Sequence, residues 1–300
     1  MSNVLACDIG GTHLRFGIYN SLMDPTAISS RSIKGLSYQQ IMKLTNELAV
    51  EQCQQHEVEA IGLSFAGNVD SDNGTVAYRQ VFDKDTHPSK WKYETFRIVE
   101  ELHNATSVPV VIENDGNSAL IAEWKYGSAK GHNNVVCLVF GTYAGSGVLS
   151  QGKILHRRTS GPLLPGSITQ YKKGFDYLGV LTSGTGFLRE SEKVYGRQIS
   201  GKELFSMVEA GDKQARLIFE EAGKWLGVMV TNAINIFDPE VVCLNGPVMH
   251  AADYLLPAME KIVSEYSMPS IGSPTKVTVG KFIDDAGLIG AASIALDSLL

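Results

Sequence analysis

Val4-Leu5-Ala6-Cys7-Asp8-Ile9-Gly10-Gly11-Thr12 decides how this chain is read. An apolar run ends in an aspartate and a Gly-Gly pair, and a second apolar run, 14–19, follows at once. A buried strand, a tight turn and a returning strand account for that pattern. It recurs far along the chain. Val135-Val136-Cys137-Leu138-Val139-Phe140 runs into Gly141-Thr142, and Gly145-Ser146-Gly147 leads into Val148-Leu149. A duplicated hairpin at that separation predicts two similar halves facing each other.

Further strands are expected at 60–64, 108–112 and 241–244. The last two are continuous apolar runs, as in central parallel strands covered on both faces. Helical spacing predicts helices over 41–56, 93–104, 117–126, 202–210, 213–237, 251–265 and 286–300. The fifth carries one stripe of Ile218, Ala222, Trp225, Leu226, Met229, Ala233, Ile236 and Phe237. Gly223 and Gly227 should let a neighbour approach it, and Asp238-Pro239 should end it. Ser200 and Glu203 have the spacing of a capping box. Strands alternating with helices indicate an α/β protein with mostly parallel sheets.

Composition narrows the function. The 300 residues suggest about two domains. Against 26 basic residues stand 32 acidic ones, a net charge of −6, which offers no footprint for a nucleic-acid backbone. The N-terminus has no basic region before its apolar run. The long uncharged stretch 131–152 is broken by glycines and two adjacent asparagines, a poor membrane span. Cys7, Cys53, Cys137 and Cys243 are far apart and three lie in apolar runs. Free thiols in a cytoplasmic protein are therefore expected, with no membrane partner.

Four segments carry candidate chemistry. After Asp8, the Gly10-Gly11-Thr12 turn can cradle phosphate oxygens, and Asp8 can hold Mg²⁺ through water. Read alone, it is also a plain hairpin. Gly141, Thr142 and Gly145 repeat that chemistry, and the pair suggests a polyphosphate clamp. Glu113-Asn114-Asp115-Gly116-Asn117 follows a buried strand, where α/β sheets bind ligands. There Asp115 can act as a general base toward a hydroxyl and Asn114 can bond a polyol; capping a helix is the alternative. Asn245-Gly246-Pro247 follows another strand. Its small residues admit a flat ring, and a simple strand-to-helix turn is the alternative.

In this order and spacing the segments resemble the ROK family (repressors, unannotated frames and sugar kinases) of the actin-like, ribonuclease H-like phosphotransferases. The resemblance spans nearly the whole chain. It implies two ribonuclease H-like domains with an interdomain cleft: residues 1–117 plus about 287–300, and a larger domain over 118–286. It assigns ATP phosphates to Gly10, Gly11, Thr12, Gly141, Thr142 and Gly145, and adenosine to Asn245, Gly246 and Pro247. Asp115 becomes the catalytic base. Asn114, Glu113, Gly67 and Asn68 line the sugar, the last two within Ala66-Gly67-Asn68-Val69-Asp70 with Gly74 behind. Trp91-Lys92 and Gly290-Ala291-Ala292 also match.

Departures sharpen the expectation. Where members carry Gly-Glu-x-Gly-His and a cysteine-rich zinc site, this chain has Gly166-Ser167-Ile168-Thr169-Gln170 and no cysteine between Cys137 and Cys243. No zinc is expected. Gly179 stands where a second sugar-binding glutamate usually precedes Ser183-Gly184, and Tyr78, Arg79 and Gln80 replace an asparagine. Weak use of glucose is expected, with a modified sugar preferred. Arg79, His156, Arg157 and Arg158 are possible donors to an anionic group, with a solvated basic surface as their bland alternative. The resemblance implies an ATP- and Mg²⁺-dependent sugar kinase, by default acting on a hexose 6-hydroxyl, and a homodimer. The alternative is a non-catalytic ROK-type sugar sensor without a DNA-binding domain.

Overall fold

The computed structural model describes residues 2–79, 93–156, 163–270 and 272–300, and the chain divides into two compact units. One comprises Met1–Ala122, His156–Gly161 and Gly287–Leu300. The other comprises Glu123–Leu155 and Pro162–Ala286.

In the first unit the elements follow as β1 (Asn3–Ile9), β2 (His13–Asn20), β3 (Pro25–Ser32), α1 (Tyr38–Gln55) and β4 (Val58–Phe65). Then come β5 (Asn68–Asp70), β6 (Thr75–Arg79), β7 (Tyr93–Phe96), α2 (Ile98–Thr106), β8 (Val110–Asn114) and α3 (Asp115–Tyr126). The main sheet has the order β3-β2-β1-β4-β8, with β1–β2 antiparallel and β1, β4 and β8 parallel. Leu5, Ile9, Leu14, Ile61, Leu63 and Ile112 bury one sheet face against Ile41, Met42 and Leu102.

The second unit holds β9 (Val135–Phe140), β10 (Ala144–Ser150), β11 (Lys153–Ile154), β12 (Ile168–Tyr171), β13 (Gly174–Tyr177), α4 (Leu178–Leu181) and α5 (Gly184–Tyr195). It continues with α6 (Gly201–Glu209), α7 (Lys213–Phe237), β14 (Val241–Asn245), α8 (Ala252–Tyr266) and β15 (Lys276–Val279). Its sheet order, β11-β10-β9-β14-β15, repeats the first, with the same antiparallel hairpin and parallel remainder. The final helix, α9 (Ala286–Asp297), covers the other face of the first sheet with Leu288, Ala291, Ala292 and Ala295. Glycine permits this approach: a Cβ at Gly62 would lie 1.9 Å from the Ala291 carbonyl oxygen, and one at Gly290 2.1 Å from that of Ser118.

Helix α7 has the expected bounds. Its Gly223 and Gly227 face α8, where a Cβ would meet the Leu255 and Met259 carbonyls at 2.4 and 2.9 Å. Asp238 ends it in the left-handed region. Other expectations need correction. Residues 93–96 begin no helix; they form β7 beside β6, since Tyr93-Glu94-Thr95-Phe96, rich in aromatic and β-branched residues, suits an exposed pleated edge and α2 starts only at Ile98. Ser200 caps α6 through the Glu203 amide, but Glu203 turns to Arg197, so the reciprocal half is missing. The full capping box is at Ser37 and Gln40. All four cysteines are free. Among the described residues no helix is long and apolar enough to cross a membrane.

Candidate active site

Parallel pairing of β1, β4 and β8 puts Asp8, Ser64 and Glu113 in one row at the carboxyl ends of the strands, with Asn114 and Asp115 just beyond. Ligands bind at this edge of open α/β sheets. Ser64 Oγ donates to Asp8 Oδ1 at 2.8 Å. Gly287, in the first turn of α9, stands so close that a Cβ there would lie 2.6 Å from Asp8 Cγ. Neither Ser64 nor Gly287 was singled out from sequence, because only the pairing register and the return of α9 bring them to Asp8. Burial raises the Asp8 pKa, while the Ser64 hydrogen bond and the Arg15 charge oppose the rise. Asp115 opens α3 and keeps a partial opening to solvent. Its Oδ1 accepts from Asn114 Nδ2 and from the Gly116 amide, both at 2.9 Å. Burial first, and the Asp8 charge second, push its pKa up to about 7 against those hydrogen bonds.

Glu113 and Asn114 are brought to the same place, but as anchors. Glu113 is 5% exposed. Its Oε1 accepts from the Asn114 amide at 2.7 Å, Asn117 Nδ2 at 3.0 Å and Ser71 Oγ at 3.3 Å. Oε2 lies 2.7 Å from His156 Nε2. Asn114 Nδ2 donates to the Gly67 carbonyl at 2.8 Å as well as to Asp115, and its Oδ1 accepts from the Gly116 and Asn117 amides. That uses the amide's whole bonding capacity. The helix-capping alternative is therefore realised by Asn114, while Asp115 keeps a chemical role open. Gly67, at φ +150°, turns the chain toward Asn114 on the way to Asn68 in β5. Gly74, at φ +63°, closes the following turn where a Cβ would strike Val99.

The two glycine turns differ in detail. Gly10 N–H donates to the His13 carbonyl and Gly141 N–H to that of Tyr143, each at 2.9 Å. These two amides close their own turns. Gly11 meets nothing within 4 Å where a Cβ would stand, so space rather than backbone twist explains that glycine. Thr12 is half-buried, with its hydroxyl 3.0 Å from His13 Nδ1. In the second unit, α5 fixes the turn: Gly184 and Thr185 amides donate to the Gly141 and Thr142 carbonyls at 2.9 and 3.1 Å, leaving Thr142 at the exposed tip. Gly145 pairs with Val139 in the hairpin.

Asn245 is fully buried. It donates to Glu123 Oε1 at 2.8 Å and accepts from the Gly246 amide at 2.6 Å, so its side chain faces inward. Gly246, at φ +91°, presses on the end of β9, where a Cβ would lie 2.6 Å from the Phe140 carbonyl oxygen; Pro247 is exposed. Glu123 had no signal in the sequence. It also accepts from the Ser128, Lys281 and Phe282 amides and knits this loop together.

Gly179 cannot carry a ligand in this backbone, since a Cβ would fall 2.8 Å from Pro165 Cβ. Gln170 is exposed on the β12–β13 hairpin opposite Phe175, and Ser167 donates its amide to the Leu164 carbonyl. Gln80, Trp91, Lys92, Arg157, Arg158 and the Arg79 side chain lie outside the described residues.

One partly buried carboxylate with a second in electrostatic reach fits Mg²⁺, which takes one or two carboxylates and completes its shell with water and phosphate oxygens. Asp8 would hold it. Among the described residues no group of three or more His, Cys, Asp or Glu is placed to hold a metal ion by itself.

Known proteins share both sequence and fold with this chain. It is 26% identical to the glucokinase of Thermotoga maritima over 97% of this chain and 96% of that protein. A ROK hexokinase from Thermus thermophilus superposes with a TM-score of 0.75 at 25% identity, covering 99% of each chain. A ROK glucokinase from Streptomyces griseus, solved with glucose and AMPPNP, gives 0.82 at 23% identity over 99% of this chain and 100% of that one. The architecture is thus the actin-like ATPase fold of these kinases. The profile of the ROK family matches residues 4–161 and 178–298, and the chain belongs to that family.

Proposed function

We propose that the protein transfers the γ-phosphoryl group of ATP to a sugar hydroxyl, by default the 6-hydroxyl of a hexose. The observation that carries this reading is Asp115, a carboxylate at the end of β8 whose pKa is pushed up to about 7. A base poised near the working pH combines the right protonation state with a useful driving force. The glucokinase and hexokinase relatives support the same reading.

In the proposed reaction Asp115 accepts the proton as the sugar oxygen attacks the γ-phosphorus. The new O–P bond forms, the bond to the β–γ bridging oxygen breaks, and its electron pair leaves with ADP. Asp8 would hold Mg²⁺, which would supply positive charge against the phosphate oxygens. The space at Gly11, the Thr12 hydroxyl and the turns at Gly10, Gly141, Thr142 and Gly145 receive the phosphates. Gly246 and Pro247 offer backbone to adenosine, with Asn245 as their anchor. Gly67, Asn68, Glu113 and Asn114 shape the sugar side, the last two by holding the loop. ADP release over a panel of neutral, amino and acidic sugars tests this. Release that needs both sugar and Mg²⁺ is expected; no sugar-dependent release from a folded, ATP-binding protein overturns it.

A further inference from the structure

His156 is the side chain at this edge whose chemistry the phosphoryl transfer leaves unused. The chain enters the second unit's sheet in β11, then contributes His156–Gly161 to the first unit. Its Nε2 lies 2.7 Å from Glu113 Oε2, in a pair whose carboxylate side chain is 6% exposed and whose imidazole is 46% exposed. The other Glu113 oxygen is already engaged by Asn114, Asn117 and Ser71. An ionised carboxylate only accepts hydrogen bonds, so the shared proton belongs to Nε2. In its neutral form the ring leaves Nδ1 as an acceptor, and Nδ1 has no hydrogen-bond partner among the described residues. A buried carboxylate that fixes the tautomer of a half-exposed imidazole is an arrangement for presenting one nitrogen to a ligand. The carboxylate is two residues from Asp115, near the end of β8, and accepts from the amide of Asn114, which in turn bonds Asp115.

We propose that His156 reads the acceptor substrate: Nδ1 accepts a hydrogen bond from a hydroxyl of a neutral polyol, and Glu113 sets the tautomer that makes it an acceptor. The inference rests on the sugar-kinase reading above and names the specificity residue of that site. The pair carries no net positive charge in this form, so it favours a neutral sugar over the anionic one expected from the neighbouring arginines.

Two variants separate this role from mere support of Glu113. Glutamine places an amide N–H near the position of Nε2 and offers nothing in place of Nδ1, so His156→Gln keeps the Glu113 bond while His156→Ala loses both. Steady-state kinetics are measured with D-glucose, D-glucosamine and D-glucuronate at saturating ATP, and sugar affinity by calorimetry. Both variants should raise KM and Kd for the best neutral sugar about tenfold, the scale of one lost hydrogen bond to a substrate. KM for ATP should stay within about twofold. Unchanged sugar KM and Kd in His156→Gln, with active wild type, overturn the role of Nδ1 and leave the kinase reading intact. Wild type that binds sugar without turnover sinks the kinase reading, and Kd still decides on His156. Wild type that binds none of the three sugars overturns both.

Discussion

At the carboxyl ends of β1, β4 and β8 stand Asp8, Ser64 and the Glu113–Asp115 run; at the corresponding ends of β9, β14 and β15 stand Phe140, Asn245 and Gly280. The sheets share one strand order, yet the first unit ends its strands in carboxylates and hydroxyls and the second in an aromatic ring, a buried amide and a glycine. In the second unit the polar groups face inward: Glu123 and Asn245 satisfy each other, and a Cβ at Gly280 would come within 2.5 Å of Asn245 Nδ2. In the first unit two carboxylates are held partly open; burial raises the proton affinity of both, and the Asp8 charge raises that of Asp115 further. On the proposed reading, a duplicated scaffold separates proton chemistry from passive binding surface. Burial of polar groups costs little where they pair, and in the first unit it tunes a group that still reaches solvent.

The largest expected effect lies on the carboxylate side. Asp115→Asn should lower sugar-dependent kcat by about 10²–10⁴, the usual cost of losing a general base, while ATP affinity persists. Near-full turnover would reduce Asp115 to the first residue of a helix and erase the contrast between the units. Next comes the turn. Gly11→Val should fold normally, because a Cβ there meets nothing, and should weaken ATP binding at least tenfold by filling that space, about 1.4 kcal/mol or more. A folded variant with wild-type ATP affinity removes the first turn from the phosphate site.

A third effect concerns stability. The folded-state pKa of Asp115 lies above the ordinary aspartate value of 3.8. Ionising it therefore costs stability as pH rises from about 4 to about 7, and the loss is complete above that range. Asparagine removes the cost. Asp115→Asn should be more stable than wild type at pH 8 by about 1–3 kcal/mol, given the partial solvent opening, and should match it near pH 4. Equal denaturation midpoints at both pH values would mean that the carboxylate is not strained by burial. The smallest effect is an expected absence: metal analysis of chelator-free protein should find sub-stoichiometric zinc, and one tightly held equivalent would contradict this.

How much of this was legible in the sequence follows from the range of the interactions. The paired hairpins and α7 are local patterns, carried by Val4–Thr12, by Val135–Thr142 and by a stripe at helical spacing. Strands β7, β12 and β13 are short and partly exposed, so no alternation marks them, and β7 looks helical until β6 pairs with it. Asp8, Asp115 and the turns were visible as residue types at strand ends. The inward commitment of Asn114 and Asn245 was not, because their partners Gly67 and Glu123 are distant in sequence. The same holds for Glu113 and His156, which are 43 residues apart.

The central claim is that Asp115 in the first unit is the base, and the pH dependence of kcat/KM for the sugar tests it most directly. Asp115 must be ionised to accept a proton, so activity should fall on the acid side, tending toward tenfold per pH unit below the inflection. The Asp8 charge helps to set the pKa at about 7, and a Mg²⁺ ion at Asp8 would offset that charge. The acid limb should therefore have its midpoint at or below pH 7 and above the ordinary aspartate range. A profile that stays flat from pH 5 to pH 8 in the folded wild-type protein, with chemistry rate-limiting, would contradict the account.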